Sequence, residues 1–239
     1  IIDFDNTVSG VNNDTFTGSG FKPSPAAGEL NSDAWAVTGL SDGSLAFGGS
    51  GTSGDFARGS STGVESGGGI YAFETSTGNV GLGVQPTGGD FTPGDYTLKV
   101  QNQTGGTVNN VDLSYIVYVL NNEARGNSFN FSYSDDDVNY TDVTALDLTS
   151  TEAADATPVW NSNSKNTSLT GLSLADGDFL YLRWTSDDDT GGGSRDEFAL
   201  DDISVTFLPP AVTFIYNGSW SPNNPITGST PATASDDVE

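Results

Sequence analysis

Short β-branched and aromatic runs alternate along this chain with clusters of Gly, Asn, Asp and Ser, and no long window repeats with a helical period. Such punctuation points to an all-β sandwich or barrel. The longest run is Val108–Leu120. Val111, Leu113, Tyr115, Val117 and Val119 share one face of it, while Ile116, Tyr118 and Leu120 make the other face apolar too. Successive strand residues point to opposite faces, so a strand apolar on both belongs at the centre of a sandwich. Further strands are expected at 1–5, 34–40, 44–48, 70–74, 80–84, 96–101, 128–134, 139–148, 179–185 and 198–207. Ser41-Asp42-Gly43 and Asp135-Asp136-Asp137 read as hairpin turns, which Asp favours through local side-chain hydrogen bonds. The expected architecture is a jelly-roll β-sandwich of two antiparallel sheets over residues 1–208. Leu208-Pro209-Pro210 stops the register, because proline cannot continue a central strand. Residues 209–239, rich in Pro, Ser, Thr and Asn, read as a linker and the beginning of a second module, or as a tail packed on the sandwich.

Charge and missing residue types narrow the function. Asp and Glu number 32 against 7 Lys and Arg, a formal charge of -25. Such a surface repels nucleic acid and anionic lipid, and suits divalent cations and neutral ligands. No apolar run approaches membrane-spanning length. Cys and His are absent, which excludes disulfides, thiolate metal sites, histidine-based triads and the usual zinc ligand sets. Met is absent as well, so the expectation is a processed N-terminus or a piece of a longer chain. Carboxylate chemistry remains possible, but none of the glutamates sits beside an acidic partner on one strand face, and no enzyme activity is expected.

The closing strand, "DEFALDDISVTF", carries the sharpest signal. Phe198 and Leu200 hold even positions; Ile203, Val205 and Phe207 hold odd ones. The apolar face therefore changes phase at Asp201-Asp202, as a one-residue β-bulge requires. A buried carboxylate must be paired, hydrogen-bonded or metal-bound, and basic residues are scarce here. If the first strand lies beside the last, Asp3 and Asp5 come near Asp201 and Asp202. The loop "SDDDTGGGSRDE" adds Asp187, Asp188, Asp189, Asp196 and Glu197. Together these make a structural Ca2+ the expected cofactor, since calcium takes six to eight oxygen ligands, although the EF-hand spacing is missing. The competing reading is an Arg195–Asp pair with a solvated loop.

Trp160, in the polar stretch "ATPVWNSNSKN", either covers one end of the sandwich or stacks on a sugar ring. Trp35 and Trp184 sit inside strands and read as core. Arg125 with Glu123, and Arg58 with Asp55, are either ion pairs bracing loops or hydrogen-bonding forks for a glycan.

Four segments carry a family resemblance: "SDAWAVTGLSDGSLAFGG", "GDFARGSSTGVESGGGIYAF", "NSFNFSYSDDDVNYTDV" and "GDFLYLRWTSDDDTGGGSRDEFALDDISV". Over residues 18–207 the chain resembles a jelly-roll domain of secreted, multidomain proteins of Bacteroidetes-type bacteria, associated with type IX secretion. Its last strand is similar to that of MAM-like and carbohydrate-binding jelly rolls. The resemblance implies a non-catalytic extracellular or cell-surface module with an adhesive, spacer or structural role, joined to neighbouring modules of the same chain. Two alternatives stay open: a carbohydrate-binding module for polysaccharide, with Trp160, Arg125 and Glu123 at its site, and a subunit of an extracellular filament that contacts other surface proteins.

Overall fold

A computed structural model describes residues 1–209. The tail from residue 210, where a second module is expected, lies outside them. In chain order the strands are β1 Asn12–Asn13, β2 Phe21–Lys22, β3 Glu29–Asn31, β4 Trp35–Leu40, β5 Gly43–Leu45, β6 Ser60–Ser61, β7 Gly69–Ser76 and β8 Asn79–Gln85. There follow β9 Gly94–Gln101, β10 Val108–Leu120, β11 Arg125–Ser134, β12 Thr141–Asp142, β13 Trp160–Leu174, β14 Phe179–Gly191 and β15 Glu197–Leu208. One six-stranded sheet has the order β13-β10-β15-β8-β7-β6, the other β12-β11-β14-β9-β4-β5.

From β8 onward the chain runs in pairs, one strand in each sheet. The pair β14/β15 lies between β8/β9 and β10/β11, and β12/β13 lies outside β10/β11. That wrapping of four pairs is the jelly roll. The β6 and β7 strands extend the first sheet, and the β4–β5 hairpin extends the second. A three-stranded sheet, β1-β3-β2, adds Phe21 and Leu30 to the same core, and the stretch around it adds Phe4 and Phe16.

The core lies between the two large sheets. Tyr115 of the first meets Phe131 at 5.8 Å and Trp184 at 5.4 Å, the latter edge-on. Phe198 stacks on Phe129 at 5.3 Å. Trp35 and Trp184 are fully buried, as their strand positions imply. Aromatic contacts of this kind add ~1 kcal/mol each beyond area burial.

Four strand expectations change. Residues 1–5 form no strand; only Ile2 bridges to Ile203, and a bend follows. The β10 strand is interior to its sheet, but only its inner face is fully covered; Ile116 and Tyr118 on the outer face are half-buried. Residues 139–148 do not form one strand. Asp136 accepts the backbone N–H groups of Val138 and Asn139, which prolongs the turn, and only β12 and a 3-10 turn at Thr144–Leu146 follow. The polar stretch from Trp160 carries no strand signal, yet β13 runs fifteen residues and pairs with β10 from Leu120↔Trp160 to Val108↔Leu174. It is an edge strand of Ser, Asn and Thr with few apolar residues, so backbone pairing defines it and hydrophobic alternation does not.

Candidate functional site

The bulge is where the phase change places it. Ser114 pairs with Ser204 and Ile116 with Asp201, so three steps on β15 match two on β10. Asp202 absorbs the extra residue with φ of 51°. Leu200 and Ile203 consequently both face the core. Ile2 exchanges backbone hydrogen bonds with Ile203 at 2.8 and 2.9 Å, which sets the N-terminal segment beside the last strand.

Asp201 is fully buried on the outer face of β15. It accepts hydrogen bonds from the backbone N–H of Asp202 (2.8 Å) and from Asn79 Nδ2 (3.0 Å). Burial, with the charges of Asp202 and Asp5 adding, pushes its carboxyl up to about 7. Burial raises Asp5 as well, and its Oδ1 accepts the Val80 N–H. Asp3 spends both oxygens on its own turn, with Asp5 and Asn6.

The other acidic residues lie elsewhere. Asp187 and Asp189 belong to β14, an extended strand end rather than a loop. Between them Asp188 takes a bidentate pair from Arg195 (2.6 Å to each oxygen) and a second pair from Arg125, which hold its carboxyl below the usual range. Asp196 is buried between the sheets. The carboxylates expected around calcium are thus divided among the bulge, the end of β14 and the start of β15. Among the described residues no group of three or more carboxylates is arranged to hold a metal ion.

Trp160, the first residue of β13, packs on the outer face of the first sheet. Its ring meets Phe73 at 5.1 Å, Phe73 stacks on Tyr71 at 5.2 Å, and Ala199 and Tyr118 complete the cluster. Gly83 makes room for it: a Cβ there would stand 2.1 Å from the Phe73 ring. Tyr71 and Phe73 are buried, whereas Tyr118 and Trp160 are half-exposed. Trp160 Nε1 donates to the Thr62 carbonyl at 2.9 Å.

Beneath the neighbouring loop lies Glu197, fully buried. Its carboxylate accepts the backbone N–H groups of Val64 and Glu65. Burial, with Glu65 and Glu123 adding, pushes it up to about 7. Beside this loop a cleft of about 310 Å³ is lined by Glu65, Gln85, Thr87, Glu123, Ser194 and Arg195, among others. Glu123 therefore faces a cleft, but Arg125 does not join it, because its guanidinium is held by Asp188. Arg58 pairs with Asp55 as expected. The sequence reading misses Tyr71, Phe73 and Tyr118 as an outer aromatic cluster, and it takes Glu197 for a calcium ligand where the carboxylate instead holds the loop backbone. In "IYAFE" Ile70 and Ala72 are apolar as well, so alternation could not single out an outer aromatic face.

No family model matches the sequence, and no curated protein matches it. Solved structures match it only at low similarity. A CBM4 carbohydrate-binding module is 14% identical over 74% of this chain and 97% of its own, with a TM-score of 0.34. The K1 cleaved adhesin domain of Lys-gingipain from Porphyromonas gingivalis W83 is 14% identical over 56% and 78%, with a TM-score of 0.36. The enzymatically active domain of bacteriophage CBA120 tailspike protein 4 is 8% identical over 54% of this chain but only 16% of its own, with a TM-score of 0.32. At these scores the likenesses bear on neither family nor ligand. Among the described residues no helix is long and apolar enough to cross a membrane.

Proposed function

We propose that this chain is a non-catalytic surface module of a secreted bacterial protein, of the Bacteroidetes type its segments resemble, and that it binds neutral polysaccharide. One observation carries the reading: Trp160 and Tyr118 stand half-exposed on the outer sheet face, next to a loop that separates them from a polar cleft. An aromatic ring offers an apolar face for a pyranose, while amide, hydroxyl and carboxylate groups nearby suit its hydroxyls. The charge of -25 disfavours acidic sugars. Glu197, the carboxyl whose elevated affinity for protons suits general acid work, spends both oxygens on the loop backbone, which argues for binding without hydrolysis.

Affinity electrophoresis of the whole chain in gels containing neutral polysaccharides, with a polyuronate as control, tests this. Retardation is expected by a neutral polymer only, and Trp160→Ala should weaken it about tenfold, equivalent to ~1.4 kcal/mol. Retardation unchanged by the substitution, with a normal circular dichroism spectrum, would place any sugar site elsewhere. No retardation across the panel would refute the carbohydrate reading.

A further inference from the structure

Beyond the Phe129–Phe198 stack the sandwich interior turns polar at one end. Asp196 precedes β15 and continues its inward series with Phe198 and Leu200. Asn121 follows β10, and because Leu120 pairs with Glu197, the next step sets Asn121 opposite Asp196. From the other sheet come Asn127 and Ser186, one diagonal step apart, since Phe129 pairs with Ser186 and Asn127 with Asp188. Ser150 belongs to the same end, its Oγ accepting the Asn127 N–H at 3.0 Å.

Asp196, Asn127 and Ser186 are fully buried, and Asn121 is 7% exposed. Asp196 Oδ2, Asn121 Oδ1, Asn127 Oδ1 and Ser186 Oγ have no hydrogen-bond partner among the described residues. The Asn121 amide is oriented by its donor side, because Nδ2 serves Thr151 Oγ1, the Ala153 carbonyl and Asp155 Oδ1. Its oxygen is therefore the free atom. Asp196 Oδ1 accepts the Glu123 N–H at 3.0 Å, but among the described residues no ion pair reaches the carboxylate, and burial raises its affinity for protons, with the like charge of Glu123 adding. A buried carboxylate without a basic partner, surrounded by unpaired neutral oxygens, is a costly arrangement unless something positive is held there.

We infer that this end of the sandwich binds a hard divalent cation, of the size and coordination habit of Ca2+, through Asp196, Asn121, Asn127 and Ser186. The donor set suits it: calcium accepts carboxylate, amide carbonyl, hydroxyl and water oxygens in an irregular shell. One carboxylate with three neutral oxygens implies modest affinity. Asn127 Nδ2, itself unpaired, is placed to hydrogen-bond a water on the ion. This location is distinct from the Asp201 bulge, where both carboxylate oxygens accept hydrogen bonds.

The test is calcium titration of the chelator-treated chain, read by calorimetry and by melting temperature, with Mg2+ at equal ionic strength as control. Ca2+ should bind at one site and raise the melting temperature more than Mg2+ does. Asp196→Asn should abolish that difference, and Asp201→Asn should keep it. Ser186→Ala, a small change suited to folding, should raise the apparent Kd roughly tenfold, as the loss of one oxygen worth about 1.4 kcal/mol does. Equal shifts with Ca2+ and Mg2+ would mean screening of the acidic surface and overturn the site. So would a calcium response that survives both Asp196→Asn and Ser186→Ala, or one lost in Asp201→Asn.

Discussion

Replacing Asp201 with Asn should stabilise this protein at pH 8. The carboxyl is fully buried and its affinity for protons is raised from 3.8 to about 7 by that burial. A carboxyl raised in the fold is easier to ionise in the unfolded chain. Stability is therefore lost as pH climbs from about 4 to 7 and stays lost above. About three pH units at 1.36 kcal/mol each set a ceiling of ~4 kcal/mol. Reorganisation halves this to ~2 kcal/mol, which in a sandwich of this size moves the melting temperature by roughly 4–8 °C. Asn keeps an oxygen for the Asp202 N–H. Its new Nδ2 faces Asn79, whose amide must rotate to present oxygen, and the Thr75 hydroxyl, now bound to Asn79 Nδ2, can then donate instead. The assay is chemical denaturation of both proteins from pH 4 to pH 8, in chelator. The gap should be widest at pH 8, less than half as large at pH 5, and near zero at pH 4. A variant less stable at pH 8, or a gap that ignores pH, would refute the reasoning. Either result would mean that the ionised carboxylate is held by something favourable.

Other perturbations test the packing and the charges. Gly83→Ala must displace the Phe73 ring, whose Cδ2 stands 2.1 Å from the new Cβ, and should cost ~1–3 kcal/mol in urea denaturation. Phe129→Ala removes one partner of the Phe198 stack and should cost ~3–5 kcal/mol by the same measurement; a loss under 1 kcal/mol would contradict its place in the core. Arg195→Ala breaks the bidentate pair with Asp188, a carboxylate one-third exposed (33%), so melting should fall by the equivalent of ~1 kcal/mol or less. With a net charge of -25, melting temperature should rise with NaCl over the first few hundred millimolar; a flat profile would show that self-repulsion is negligible.

Much of the sandwich was legible before any coordinates. Clean alternation marked β11, the apolar length of Val108–Leu120 marked β10, and the phase change at Asp201-Asp202 marked a bulge that the Ser114/Ile116 register shift shows. These features were readable because each concerns the local period of side chains about one strand. The β13 strand was not, since its Ser, Asn and Thr residues give no burial contrast and its partner lies some forty to sixty-six residues away. The same limit explains the charges. Sequence placed Arg125 beside Glu123, and the fold gave it Asp188 across the β11–β14 pair.

The chain's own residues determined that it would be a β-sandwich, that it would be strongly acidic, that histidine or cysteine chemistry was excluded, and that its last strand would kink at an acidic couplet. The tertiary structure decided which carboxylates stand alone and which are paired, set Trp160 on an outer face with Phe73 and Tyr71, and gathered unpaired oxygens from four separate segments at one end of the core. The physical reason is that alternation reports which way a side chain points, whereas its neighbours across a sheet or a sandwich are fixed by pairing between distant segments.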